Sequence, residues 1–315
     1  MTEDELNTLV GEEQIQRRAK LAGGRLVHYT TAEAAYQIIT GRKVWLRNAA
    51  VMNDFSEISH GISCLHEAWA SPGGAALQEM LERLRVGLRD ELAGLFDGHA
   101  ESLRTHTYLT SLSEHDDVED QLGRLSMWRA YGGNAGVALV LNSAAFTAAT
   151  DAMKAYSAPV FYADQTVFAG WFQNWAKRLL AAEGDLRSID PERIRNILFY
   201  AFRIFALGTK HPGFSEEREW RVFNSPIHEG GSPWLEFGIE TVRGLPQPLV
   251  KLRLFDDEAA GIIGTSPKTL INRIIIGPCN YPLQVRAAMY EALAQAEVED
   301  IESKLCMSLI PLRQS

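Results

Sequence analysis

The order of strand-forming and helix-forming segments constrains this chain most. Short β-type runs recur along it: RLVHYT (25–30), VWLRN (44–48), TYLTSLSE (107–114), GVALVLN (136–142) and PVFYAD (159–164). EWRVF (219–223), LVKLRLF (249–255), INRIIIGP (271–278) and KLCMSLIP (304–311) follow. INRIIIGP is apolar enough to read as a buried strand. Helical patterns fall between some of these runs and not others, so the strict alternation of a doubly wound sheet is missing. The expected fold class is therefore α+β, one domain over 26–315 after an N-terminal helical extension (1–25). Helical insertions are expected near 55–95, with a break at Ser71-Pro72-Gly73-Gly74, and near 164–208.

Two helix signals are local. Thr30 and Glu33 have capping-box spacing before TTAEAAYQIITG, which Gly41 stops. Asp190 and Pro191 open the helix of 190–208 as cap and first-turn residues. A further amphipathic helix is expected over 282–297.

Hydrophobic residues make up 46% of the 315 positions and charged residues 23%, enough apolar surface for an ordinary globular core. A net charge of -9 argues against a broad nucleic-acid surface but not against a local basic groove. Cys64, Cys279 and Cys306 are odd in number and widely spaced, which suits reduced thiols in a cytoplasmic protein. None has zinc-ligand spacing, and no metal is expected. The acidic N-terminus lacks an apolar run, and no segment has the length of a membrane span.

The stretch FSEEREWRVF (214–223) poses the chemical question. Read as the start of a strand, it puts Glu217, Glu219 and Arg221 on one face and Arg218, Trp220 and Val222 on the other. A salt-bridged sheet edge is the plain interpretation, and a catalytic carboxylate pair the sharper one. Other polar and aromatic clusters sit at strand ends: His28-Tyr29-Thr30, Asn53-Asp54, and Ser111 with Ser113 on one strand face. Trp128 and Tyr131, three apart, can share one side of a helical turn, as a core wedge or a stacking pair. No GxSxG, HExxH, P-loop or GxGxxG occurs, which removes the commonest hydrolase and nucleotide-triphosphatase readings.

HYT, NDFSE, MWRAYG, EREWR, IIIGP and SLIPLR, in that order over about 26–313, resemble a bacterial family catalogued as domain of unknown function 2971. The family pattern runs HYT, ND-x-x-E, W-x-x-Y before a strand, E-x-E-[WY]-R, then GP after an apolar strand. Its arrangement is similar to the ADP-ribosyltransferase fold, a mixed β-sheet core. The resemblance implies an NAD-dependent transferase acting on a macromolecule, as a toxin or anti-phage defence effector with a neutralising or regulatory partner protein.

On that resemblance His28 takes the first catalytic position, Ser111 and Ser113 or Tyr131 the second, and Glu219 or Glu217 the third. It further implies Tyr29, Trp128 or Tyr131 against nicotinamide, Arg47 and Arg221 on the pyrophosphate, and Thr30 and Asn53 among the NAD contacts. The first position is histidine where transferases that modify arginine usually carry arginine, so the acceptor class stays open. The geometry that bears most on this reading is that of His28, Tyr131 and Glu219: a separation of more than about 15 Å among them would defeat it, because one NAD could not span the trio. The alternatives are a nucleic-acid binder using Trp128 and Tyr131 for stacking, and an inactive sensor or interaction module with Glu217, Glu219 and Arg221 in a structural ion network.

Overall fold

The computed structural model describes residues 1–52, 56–148, 150–242 and 244–311, with the backbone alone at 56 and 57. It is a mixed α+β fold with many helices and a mostly antiparallel open sheet. The strands among the described residues are β1 (Arg25–Thr31), β2 (Lys43–Asn48), β3 (Tyr108–His115), β4 (Ala135–Asn142), β5 (Tyr156–Pro159) and β6 (Phe161–Tyr162). They continue with β7 (Thr209–Lys210), β8 (Glu219–Asn224), β9 (Leu235–Val242), β10 (Leu245–Arg253), β11 (Ile271–Cys279) and β12 (Leu305–Met307). The chain divides into two compact units. The first is Met1–Arg17, Asn48–Thr107 and Ala158–Glu216; the second is Arg18–Arg47, Tyr108–Ser157 and Glu217–Ser315.

The first unit is helical. Its helices Ser56–Ala70, Pro72–Leu84, Leu88–Thr105, Gln165–Ala181 and Pro191–Gly208 occupy the two regions expected as insertions. Ser71 caps Pro72–Leu84 by accepting from Gly74 N, so the anticipated break is a helix start with proline in the first turn. A second break, at Gly87 with φ 84°, had no sequence signal beyond the glycine itself, and the helical region runs on to Thr105. Phe168, Phe172, Trp175 and Leu179 recur at helical spacing, and that stripe buries against Phe202 and Phe205 of Pro191–Gly208.

The second unit is built on the ten-stranded sheet, in the order β12-β11-β4-β1-β3-β2-β10-β9, with β8 beside β3 and β5 beside β8. The β11–β12 pair is parallel. Strand alternation divides its core in two. Leu26, Leu112, Leu139, Trp220, Val250 and Ile274 face one way, where the helices Ala32–Gly41 and Pro282–Gln295 supply Ile39, Met289 and Leu293. Val27, Tyr29, Ala138, Val140 and Ile275 face the other way, against Met127 and Trp128. β4 and β11 are apolar on both faces because both faces are covered. The cap of Ala32–Gly41 is Thr31, one residue later than the capping-box spacing suggested; its hydroxyl accepts from Ala34 N at 3.2 Å.

One topological detail positions the site. β8 occupies one edge of β3 from Tyr108 to Ser113. β1 and β2 both pair with β3 as well, so they share its other edge. The β1 ladder covers Arg25–Val27 against Ser113–His115 and then stops. His28 stands where it stops.

Candidate functional site

β8 begins at Glu219, as the EWRVF run suggested, so the alternation read back to Glu217 starts before the strand does. Pro212–Glu217 is a 3-10 turn, and Arg218 takes a left-handed φ of 46° before β8. Such a conformation costs a non-glycine residue about 1 kcal/mol or more, so the surroundings must hold it. They do. The Arg218 carbonyl accepts from Glu114 N at 2.9 Å, and its guanidinium pairs with Asp116 and Glu119 of the segment after β3. Simple alternation therefore cannot place Glu217. Its carboxylate reaches the Glu219 side of the sheet through the turn, where Oε1 accepts from the Tyr131 hydroxyl at 3.0 Å.

Register fixes the rest of that face. Ser113 stands opposite Glu219, and Ser111 opposite Arg221. The Ser111 hydroxyl donates to Glu219 Oε1 at 2.6 Å. Arg221 Nε donates to the same oxygen at 3.0 Å, and its Nη2 lies 3.4 Å from Oε2. Glu219 is 3% exposed and Arg221 1%. Arg221, expected at a pyrophosphate, is instead the buried partner of the carboxylate.

Arg124 had no sequence signal, being a lone cation in a loop. Its backbone N–H donates to the Tyr29 hydroxyl at 2.9 Å, and its side chain reaches the Ser113 hydroxyl and the Glu217 carbonyl. Its guanidinium also lies over the Tyr29 ring, 5.9 Å from the centroid. It thus ties the two serine and glutamate segments to the turn before Leu125–Tyr131.

Tyr29 and Trp128 are core residues. Their rings meet edge-on at 4.9 Å, and both are buried. A Cβ on Gly123, Gly136 or Gly277 would come within 2.8 to 3.1 Å of the Trp128 ring, so three glycines make room for one indole. A buried indole contributes roughly 4–6 kcal/mol from about 150–250 Å² removed from water. This explains the W-x-x-Y and GP segments as packing partners. Tyr131, half-buried, is the aromatic ring left in reach of the carboxylates.

His28 and Thr30 share the opposite face, the one of Leu26. His28 Nδ1–H donates to the Ser111 carbonyl at 3.0 Å, replacing the ladder bond that β1 no longer makes. Burial lowers its pKa, the carbonyl bond opposing the shift only in part. The expected trio therefore does not converge on one side: Tyr131 and Glu219 do, and His28 connects to Glu219 through the two functional ends of Ser111. Arg47 lies on the Glu219 face of β2, its Nε donating to Gln247 at 3.3 Å. Asn53 lies outside the described residues.

A family model described as "Protein of unknown function (DUF2971)" matches residues 127–222, under a third of the chain. The matched span includes Trp128, Tyr131, Glu217, Glu219 and Arg221. No curated protein and no solved structure matches the chain. No described helix is long and apolar enough to cross a membrane.

Proposed function

We propose that the second unit is an NAD-dependent ADP-ribosyltransferase acting on a macromolecule, with an ADP-ribosyltransferase-like sheet core. The observation that carries the reading is Glu219, a buried carboxylate oriented by Ser111 from the neighbouring strand, with a second carboxylate, Glu217, on the same side. In the reaction the nicotinamide–ribose C–N bond breaks, and its electron pair leaves with nicotinamide. Positive charge then builds on the ribose, and Glu219, fixed in advance, stabilises it. The acceptor's nucleophilic atom forms the new bond to the ribose carbon, and Glu217 takes its proton. Tyr131 supplies the aromatic edge. His28 acts on this chemistry as a positioning residue, by holding the Ser111 carbonyl.

The test is incubation of the protein with labelled NAD and cell lysate, reading nicotinamide release and label on macromolecules. Release with transferred label that Glu219→Gln abolishes supports the reading. Neither release nor label from wild-type protein overturns it.

The depth of the Glu219–Arg221 pair favours a second reading, a structural ion pair in a module without catalysis. Under it, replacing both residues by apolar ones of similar size leaves every binding property of the protein intact. The nucleic-acid reading loses one of its two stacking rings, because Trp128 is 3% exposed.

A further inference from the structure

On the sheet face opposite Glu219, the second unit holds a pocket of about 280 Å³. Its walls are aliphatic, among them Ile39, Val44, Leu139, Leu141, Val222 and Leu252. Most polar groups that line it are already engaged by main chain. Ser157 donates to the Phe146 carbonyl, Thr150 to that of Ala260 and Thr265 to that of Phe255, while Arg18 reaches the carbonyls of Phe146 and Ala148.

Two lining groups differ. The Thr110 hydroxyl and His28 Nε2 have no hydrogen-bond partner among the described residues. The Ser111 carbonyl can only accept, so Nδ1 carries the His28 proton, and burial keeps the ring neutral near pH 7. Nε2 is therefore a bare acceptor on the wall of an apolar space. An apolar cavity of about 150 Å³ can stay dry and bind a benzene-sized molecule, so one about twice that size has room for about ten to fifteen non-hydrogen atoms. An apolar enclosure with one or two fixed polar groups is the usual form of a small-molecule site.

We propose that this pocket binds a neutral lipophilic small molecule carrying one hydroxyl or ring N–H, which donates to His28 Nε2. The site is separate from the carboxylate face and does not rest on the NAD reading. A ligand here touches the same histidine that holds the Ser111 carbonyl, so it sits one residue from Glu219.

The probes are 1-naphthol and naphthalene, which share a ring system and differ by one hydroxyl, titrated calorimetrically and by thermal shift into the full chain. The site predicts binding of both, with naphthol preferred by about tenfold, the worth of one buried hydrogen bond. His28→Leu removes the preference and keeps naphthalene binding, whereas Val44→Phe, which fills the pocket, weakens both. Should either variant fail to fold, ¹⁵N spectra of the wild-type imidazole decide: naphthol must shift the His28 Nε2 resonance and naphthalene must not. No binding of either probe at saturation, equal affinities in the wild type, or a preference that survives His28→Leu overturns the proposal.

Discussion

The Ser111 hydroxyl reaches across from β3 to Glu219 Oε1 of β8 at 2.6 Å, while the carbonyl of the same residue accepts from His28 on the other flanking strand. Ser111→Ala removes a hydrogen bond to a charged group and is expected to cost about 1.5–3 kcal/mol of stability. Urea unfolding at neutral pH measures it. In the transferase reading, the same variant also lowers nicotinamide release in folded protein, because the carboxylate loses a fixed donor.

Glu219→Gln removes the carboxylate charge that the buried Arg221 guanidinium pairs with. The expected destabilisation is about 3–5 kcal/mol, and pairing the change with Arg221→Met recovers most of it. A double variant that is stable and inactive with NAD separates catalysis from folding. One that keeps transfer activity removes Glu219 from the chemistry.

Burial holds the His28 and His115 rings below their ordinary pKa of 6.5. Below that pH the unfolded chain binds more protons than the folded one, so stability is full above about 6.5 and falls as pH drops, by up to about 1.4 kcal/mol per unit for each ring. His28→Leu makes the decline shallower. Paired urea titrations at about pH 7 and about pH 5 check the slope, and a wild-type protein that gains stability on acidification contradicts it.

Arg218 combines a left-handed backbone with two ion pairs to the segment after β3. Arg218→Gly relieves the backbone and releases the segment. Hydrogen exchange over 116–120 is expected to quicken by more than global stability changes, which a purely local strain effect does not predict.

The sequence made most strands of the second unit legible, because runs such as GVALVLN and INRIIIGP carry their burial in their composition. Alternation also put Ser111 and Ser113 on one face of their strand, and Glu219 and Arg221 on one face of theirs, but only the β3–β8 register joins the two. Glu217 obeys that rule only by coincidence: a 3-10 turn and a left-handed Arg218, invisible to periodicity, deliver it to the same side. His28 could not be assigned a face without knowing that β1 and β2 divide one edge of β3. Arg124 was out of reach for a related reason. Its meaning comes entirely from residues 29, 113 and 217, and no spacing rule joins those positions.

The indole of Trp128 imposes a rule on sequence variation in this fold. Gly123, Gly136 and Gly277 lie far apart in the chain, yet each gives up its side chain to the same ring. Restoring one alone, as in Gly277→Ala, overpacks the site and is expected to cost about 1–3 kcal/mol. Shrinking position 128 first eases the crowding at Gly277, whereas Gly123 keeps its positive φ of 65° and Gly136 its close approach to the Gly132 Cα. Positions 128 and 277 therefore form one mutational unit, open to change in that order and closed in the reverse.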